Sequence, residues 1–316
     1  MIFTKKQLKM KPILSIVIVS FNSHDFLDKC LVSLKNSKIS EKTEILIVDN
    51  ASTDQTQELM KNKYSNLVFI RNNANLGYAK ANNQGIARAS GKYILLLNPD
   101  TLVPPETAGV MVNFMESTPE AGVSTCMVSL ENGEIDDACH RGFPTPWRAV
   151  CHFSGLSVLF PGSTFLNGYH LGYRNLDKIH PIDTCTGAFM LIRAKVGKKL
   201  GWLDEDYFWY GEDIDFCFRV KKDGFQVYFV PSVKITHFKG MSSGIKKHSE
   251  KQSTASFETK IRATIARFAV MKIFYRKHYN DGRSKYLMPF IFAAIKLKEQ
   301  LTLLNLKIRQ IYADRI

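Results

Sequence analysis

Apolar runs and amphipathic stretches alternate along the first hundred residues of this chain. Short β-branched runs are typical of strands buried in a parallel sheet, and apolar positions at helical spacing separate them. The runs cover residues 13–20, 44–49, 67–71 and 93–97, and the helical stretches cover about residues 25–34, 54–63 and 79–89. This alternation with short connections predicts an α/β fold, a Rossmann-like and mostly parallel sheet flanked by helices.

Polar side chains follow each of these strands. They are Ser20 and Asn22 after the first strand, Asp49 and Asn50 after the second, Arg71 at the end of the third, and Asn98 and Asp100 after the fourth. In open α/β sheets, ligands bind beyond the carboxyl ends of the strands. Asn and Asp are also favoured in ordinary turns, so each residue alone has a structural explanation. Their coincidence at one edge of the sheet indicates a ligand site there.

The next part of the chain has a different pattern. Residues 128–183 are rich in Gly, Pro and aromatic residues without a clear period, which predicts a long ordered excursion over the sheet edge. A regular pattern resumes over residues 184–193, where Gly187 forms a tight turn into an apolar strand.

Residues 204–215 concentrate carboxylates among aromatic side chains. The carboxylates are Asp204, Glu205, Asp206, Glu212, Asp213 and Asp215. Their mutual repulsion is costly unless a cation or a substrate shares the charge, or unless some of them cap a helix. A helix starting near Glu212 would place Asp213 in its first turn, where it could point into a cleft. The spacing lacks the frame of an EF-hand calcium loop.

Charge divides the chain into two pieces. Residues 239–316 contain 17 Lys or Arg and 5 Asp or Glu, a net charge of +12, whereas residues 1–238 carry only +2 of the total of +14. We therefore expect a globular domain over residues 1–240 and a basic helical extension over residues 241–316. Its net positive charge predicts that the extension binds an anionic partner.

Two amphipathic cationic helices are expected in the extension, over about residues 254–279 and 287–312. For the first, packing on the preceding domain and membrane binding both stay open. For the second, binding to an anionic membrane surface is favoured, because each basic residue near such a surface contributes on the order of 1 kcal/mol. No nucleic-acid partner is expected, since no matching motif or aromatic-basic platform is present.

Few features of the sequence indicate a compartment. The six cysteines form no Cys-x-x-Cys pair and are typical of the reduced thiols of a cytoplasmic protein. Their spacing to one another and to histidines is not that of a usual zinc site. No signal peptide is apparent, and no run approaches the roughly 18 apolar residues that span a bilayer. We expect a cytoplasmic protein that is peripheral on the inner face of the cell membrane.

An ordered set of motifs carries a family resemblance. It comprises Ser20-Phe21-Asn22, Val48 to Asp54, Asn75 to Ala79 with Asn82, Asn98-Pro99-Asp100, Thr186-Gly187-Ala188, Glu212 to Asp215, and Pro231 to His237. From about residue 13 to 238 this set resembles glycosyltransferase family 2, and within it the rhamnosyltransferase-like branch that builds bacterial surface polysaccharides. The resemblance implies a GT-A catalytic domain over residues 1–240, with a nucleotide-sugar half at about 13–125 and an acceptor half at about 184–240.

The resemblance also implies which residues bind the donor. The nucleotide-sugar site would comprise Ser20, Asn22, Asp49, Asn50, Arg71, Gly77, Asn82 and Asn98. A divalent cation, Mg²⁺ or Mn²⁺, would rest on Asp100, with His237 completing its shell. Asn98 stands where many relatives have Asp, which leaves fewer charges for the metal. A histidine at a strand end is otherwise often structural, and that interpretation of His237 stays open.

The implied reaction is an inverting single displacement onto an acceptor hydroxyl. Asp213 would be the general base and Glu212 would orient the acceptor or the base, although helix capping also accounts for both carboxylates. Trp209 and Gly187 are the candidate acceptor contacts. We expect transfer of a sugar from a nucleotide diphosphate sugar to a lipid-linked or polysaccharide acceptor, and the branch that the sequence resembles makes L-rhamnose the candidate sugar. The alternative is a non-catalytic, membrane-associated scaffold that binds nucleotide sugars.

Overall fold

The computed structural model of the chain describes residues 11–38, 42–238, 257–280 and 284–313. Within these residues nine strands form a single sheet. The strands are β1 Leu14–Ser20, β2 Thr43–Asp49, β3 Val68–Arg71, β4 Tyr93–Leu97, β5 Thr101–Leu102, β6 Ala121–Leu130, β7 His180–Ile182, β8 Phe189–Arg193 and β9 Gln226–His237. The expected boundary between residues 240 and 241 lies outside the described residues.

Ten α-helices accompany the strands in the described part of the chain. They are α1 His24–Lys35, α2 Thr56–Lys63, α3 Tyr78–Ile86, α4 Thr107–Ser117, α5 Pro146–Phe153, α6 Leu156–Leu159, α7 Ala194–Leu200, α8 Glu212–Lys222, α9 Phe257–His278 and α10 Ser284–Ala313. The predicted α/β class with flanking helices is confirmed. The expected excursion over residues 128–183 is ordered and contains α5, α6 and β7.

The sheet is mixed and has the order β3-β2-β1-β4-β8-β6-β9-β5, with β7 on β9. Strands β3, β2, β1 and β4 are parallel, and β1 is fully buried between its neighbours. β8 runs antiparallel to both β4 and β6, whereas β6 and β9 pair in parallel. The polar ends of β1, β2 and β4 therefore lie at one edge of the sheet, beside the turn that enters β8.

Helix α9 packs on the globular part of the chain. Phe274 and His278 place their rings against Phe218 of α8. The Tyr275 hydroxyl donates a hydrogen bond to the carbonyl oxygen of Pro144, 2.7 Å away. Of the two interpretations left open for this helix, the structure shows packing on the preceding domain.

Helix α10 packs on α9. Phe268 and Tyr275 of α9 form a buried cluster with Met288 and Ile295 of α10. The Lys272 ammonium group of α9 also lies 3.0 Å from the carboxylate of Glu299. Among the described residues, no helix has the length and apolar character needed to cross a membrane.

Gly211 shows how closely α9 approaches α8. It precedes α8 with a φ of +87°, and a β-carbon added there would lie 2.2 Å from Cγ1 of Val270 in α9. Gly133 has a similar φ of +84°, but its β-carbon would meet nothing within 4 Å. The two glycines therefore share the backbone constraint and differ in packing.

We expect Gly211→Ala to lower the free energy of unfolding by about 1–3 kcal/mol more than Gly133→Ala, because only the former forces α9 away from α8. Urea denaturation followed by circular dichroism measures both values. Equal losses in the two variants would show that α9 does not pack tightly on α8 in solution.

Candidate active site

The carboxyl ends of β1 and β2 form a braced loop cluster. Asn50 is buried, and its amide group contacts both Asn75 and the carbonyl oxygen of Gly77. Asn22 has a φ of +50°, and its side-chain oxygen accepts a hydrogen bond from the Thr53 N–H at 2.8 Å. Two predicted donor-binding residues, Asn22 and Asn50, thus hold the loops around the sheet edge in place.

Asp49 is the residue of this cluster best suited to bind a ligand. It is fully buried, and its Oδ1 accepts a hydrogen bond from the Ser52 N–H at 3.1 Å. Its Oδ2 lies 3.4 Å from Nε of Arg71 but has no hydrogen bond. A buried carboxylate oxygen without a hydrogen bond is costly, so this oxygen is available to accept an N–H from a ligand.

Two other residues that were predicted to bind the nucleotide-sugar donor have mainly local contacts. Ser20 is buried, with its hydroxyl 2.9 Å from that of Ser23. The amide of Asn82 donates to the carbonyl oxygen of Tyr78 within α3, while its own Oδ1 is buried without a hydrogen bond. Both side chains support the loops and helix behind the sheet edge.

A second cluster follows β4 and β9. The Asp100 carboxylate lies 3.2 Å from Nε2 of His237, and the amide nitrogen of Asn98 lies 3.4 Å from the same atom. On the other side of the ring, Nδ1 lies 3.3 Å from the buried carboxylate of Asp136. Burial alone would lower the pKa of His237, but Asp100 and Asp136 outweigh it and raise the pKa to about 9.

This cluster fits a divalent cation only in part. Within the described residues, no group of three or more His, Cys, Asp or Glu side chains is arranged to hold a metal alone. Asp100 offers a carboxylate. The raised pKa of His237 keeps a proton on its ring, so Nε2 would bind a cation only in place of that proton, while Asp136 orients the ring from behind as outer-shell partners do. A cation here would need its remaining ligands from a bound molecule such as a diphosphate.

Tyr78 connects the two halves of the site. Its hydroxyl lies 3.1 Å from Oδ1 of Asn98 and 3.0 Å from the carbonyl oxygen of Gly187. Its backbone N–H donates to the carbonyl oxygen of Phe208 at 2.9 Å. The predicted donor residue Asn98 and the predicted acceptor residue Gly187 are therefore joined through a side chain that had no role among the sequence predictions.

The acidic segment enters the site through the first turn of α8. The Asp213 carboxylate is 3.2 Å from the guanidinium group of Arg141, and both side chains are largely buried. The other Asp213 oxygen accepts the N–H of Ile214 at 2.7 Å. Arg141 also donates to the carbonyl oxygen of Ala138, so it is fixed on both sides.

Arg141 is a site residue that the sequence reasoning missed. It belongs to the excursion, where no motif marks it. One signal was available: residues 138–176 contain no Asp or Glu, so apart from Asp136 and Asp137 any acidic partner of Arg141 must come from a more distant part of the chain.

Glu212 is the most perturbed carboxyl group of this segment. It is buried, and its Oε2 has no hydrogen bond. Burial, and then the negative charge of the adjacent Asp213, raise the pKa of Glu212 to about 8. Near neutral pH this side chain is therefore mostly protonated and can donate a hydrogen bond.

Trp209 lies beside this turn and is half-buried. Its ring stacks parallel to that of Tyr210, with centroids 6.1 Å apart. Phe208, one residue earlier, is about half exposed. The segment therefore presents aromatic surface next to Glu212 and Asp213.

Comparison with known proteins places these features in a family context. The family model described as Glycosyl transferase family 2 matches residues 15–201. A curated N-acetylglucosaminyl-diphospho-decaprenol L-rhamnosyltransferase of Mycobacterium tuberculosis is 27% identical over 247 residues, which are 74% of this chain and 79% of that protein. The rhamnosyltransferase WbbL of Escherichia coli K12 is 26% identical over 230 residues, 71% of this chain and 82% of WbbL.

A solved structure extends the likeness to the fold. The mannosyltransferase PcManGT from Pyrobaculum calidifontis, in complex with GDP-Man and Mn²⁺, matches with a TM-score of 0.57 and 15% sequence identity. The match covers 97% of this chain and 76% of that chain. The expected GT-A fold is thereby confirmed.

The raised pKa of Glu212 has a measurable consequence for stability. The folded chain keeps a proton on Glu212 that the unfolded chain releases, so stability falls as pH rises between about 4.5 and 8. We expect Glu212→Gln to remove this fall and to raise the free energy of unfolding at pH 8 by on the order of 2–4 kcal/mol.

Denaturation curves across this pH range, compared with wild type, measure the effect. Glu205→Gln is the matched control, because Glu205 is exposed in the same segment. If both variants follow the wild-type pH dependence, Glu212 is not held protonated by the fold.

Proposed function

The chain belongs to glycosyltransferase family 2, and from this premise we propose that it is an inverting enzyme that transfers a sugar from a nucleotide diphosphate sugar to an acceptor hydroxyl. The family and the enzyme class are those expected from the sequence motifs. The observation that carries the proposed mechanism is the Arg141–Asp213 pair at the N-terminus of α8.

Asp213 is proposed as the general base. Arg141 fixes one carboxylate oxygen and the Ile214 N–H fixes the other, so the orientation of the group is set before the acceptor binds. The carboxylate takes the proton of the acceptor hydroxyl as that oxygen forms a bond to the anomeric carbon. The bond from this carbon to the diphosphate oxygen breaks on the opposite side, which inverts the anomeric configuration.

Glu212 is proposed to orient the acceptor. Because its pKa is raised, it carries a proton near neutral pH and can donate to an acceptor oxygen without adding a second negative charge beside Asp213. Trp209 and Gly187 are the other proposed acceptor contacts. Trp209 would contact the acceptor through its ring and Gly187 through its backbone. The neighbouring aromatic surface supports this assignment, because aromatic faces pack well on sugar rings.

The donor is proposed to bind along the carboxyl edge of the sheet. The unbonded Asp49 oxygen would accept an N–H of the base, with Arg71 beside it. Gly77 and Asn98 lie further along the same edge, towards the sugar. Ser20, Asn22, Asn50 and Asn82 remain proposed donor-site residues that act mainly by holding these loops.

Asp100 and His237 are the proposed protein ligands of Mg²⁺ or Mn²⁺. The cation would neutralise the charge that develops on the leaving diphosphate. Asp136 keeps the His237 ring in place, and Tyr78 holds Asn98 beside it. The structural relative with bound Mn²⁺ supports a metal-dependent reaction.

L-Rhamnose is the proposed donor sugar, and a lipid-linked or polysaccharide glycan is the proposed acceptor. The relatives from M. tuberculosis and E. coli support both choices. We further propose a cytoplasmic enzyme, peripheral on the inner face of the membrane, whose C-terminal helices bind anionic lipid. We propose no nucleic-acid partner.

Asp213→Asn tests the proposed base. The amide cannot accept the proton, so we expect the rate of sugar transfer to fall by about 10²–10⁴-fold while nucleotide-sugar affinity stays within about threefold of wild type. Transfer is measured with radiolabelled donor and affinity by calorimetry. Asp206→Asn is the control, since Asp206 is an exposed carboxylate of the same segment paired with Lys277. Comparable rates in the two variants would remove Asp213 from the mechanism.

Chelation with EDTA tests the proposed metal. We expect it to abolish donor turnover and Mn²⁺ or Mg²⁺ to restore it in wild type, whereas Asp100→Asn should need about tenfold or more metal for half-maximal rate. The rate is measured as nucleoside diphosphate release across a metal titration. Full activity in EDTA would contradict the assignment of Asp100 and His237.

A further inference from the structure

The excursion carries an exposed apolar surface. Val158 and Leu159, on the single turn of α6, are 77% and 71% exposed. Other large apolar side chains of the segment are exposed as well, namely Trp147, Val150, Phe153, Phe160 and Phe165. So much exposed apolar surface within 20 residues marks an interaction site rather than ordinary surface variation.

Helix α10 has a second apolar surface on the side away from α9. Met288 and Ile295 face α9, whereas the exposed residues recur on the other side at intervals of three, four or, once, seven residues. These are Leu287, Phe290, Leu297, Leu301, Leu304, Ile308 and Ile311. The stripe runs along a helix of 30 residues, which is about 45 Å long.

The two surfaces meet. The Lys298 ammonium group of α10 lies 5.9 Å from the ring centre of Phe153 in α5. Burial and His170 lower the pKa of His152 in α5, and the positive charges of Arg267 and Lys298 add to this effect. Helix α5 therefore contacts α10 through Phe153, and the exposed side chains of α5, α6 and α10 belong to neighbouring surfaces.

The charges around this surface are predominantly positive, and Asp137 is the one acidic residue among the groups that shift the pKa of His152. Residues 138–176 contain no Asp or Glu, and the only acidic residue of α10, Glu299, is paired with Lys272. The flanks of the α10 stripe are basic, with Lys285, Lys296, Lys298, Lys307 and Arg309. An apolar centre with a basic border is complementary to an anionic lipid surface.

We propose that α5, α6 and the exposed side of α10 form one docking surface for a membrane that contains anionic lipid, with the apolar side chains inserted between the headgroups. This inference rests on the membrane association proposed above and extends it to the excursion. The three-and-four spacing of α10 also suits a coiled coil with a second copy. Such a seam leaves α5 and α6 uncovered and brings basic flanks together, so the lipid surface fits better.

The position of this surface restricts the acceptor. The excursion that contains α5 and α6 also supplies Arg141, which holds the proposed base, and Pro144, whose carbonyl oxygen accepts a hydrogen bond from Tyr275 of α9. Docking would therefore bring the acceptor side of the active site next to the bilayer. An acceptor glycan anchored to a lipid of the same bilayer fits this arrangement better than a free polysaccharide.

Vesicle flotation of the full chain tests the docking surface. The probes are phosphatidylcholine vesicles with and without phosphatidylglycerol. The variants are Val158→Ser/Leu159→Ser in α6 and Phe290→Ser/Leu297→Ser in α10. Val32→Ser/Val68→Ser is the matched control, because these two exposed valines lie on α1 and β3. Donor hydrolysis and light scattering are measured on every protein.

We expect wild type and the control to float only with anionic vesicles. Each surface variant should bind these vesicles at least about tenfold more weakly than wild type, with donor hydrolysis unchanged. Wild-type binding by the α6 variant would overturn the inference. A concentration-dependent dimer that only the α10 variant dissociates would assign the stripe to a second copy instead. Vesicle binding without donor turnover in wild type would contradict the proposed function and leave the docking surface standing.

Discussion

Charge compensation at the first turn of α8 is the constraint on which the arrangement of this molecule depends. Glu212, Asp213 and Asp215 lie within four residues of one another and are all largely buried. Three negative charges cannot be buried so close together without separate compensation. Each of the three is compensated in a different way.

The groups that compensate Asp213 and Asp215 come from three parts of the chain, and Glu212 is compensated by its own proton. Asp213 pairs with Arg141 of the excursion. Asp215 pairs with Arg219 of its own helix and lies 2.7 Å from Nε2 of His278 at the end of α9. Glu212 keeps its proton, because burial raises its pKa. The excursion and the C-terminal helices are thus fixed to the same turn, which joins the active site to the surface proposed to meet the membrane.

This arrangement explains which features could be predicted from the sequence. Strands β1, β2 and β4 are predictable because a buried parallel strand leaves a continuous apolar run, whereas β3 is a short, partly exposed strand at the end of the sheet. The convergence of the polar residues at the strand ends follows from the parallel topology. The two C-terminal helices were visible in helical spacing. The family motifs located Glu212, Asp213, Asp100 and His237, and the structure brings the last two together.

The contacts that organise the site were not visible in the same way. Arg141 and Asp213 are 72 residues apart, and Asp215 and His278 are 63 apart, so no local period links them. Tyr78 is the first residue of α3, and its hydroxyl reaches Asn98, which follows β4, and Gly187, which precedes β8. Helix α9 packs against Gly211 and the rings around Phe218. No sequence pattern marks these residues as its packing surface.

In the proposed reaction, the oriented Asp213 carboxylate takes the proton of the acceptor while the diphosphate leaves on the opposite side. The most direct test is a crystal structure of the chain with an unreactive donor analogue and an acceptor glycan. We expect an acceptor hydroxyl about 3 Å from the Asp213 carboxylate and in line with the anomeric carbon and the leaving oxygen. An acceptor hydroxyl held by another residue, with Asp213 bound to Arg141 alone, would contradict the account.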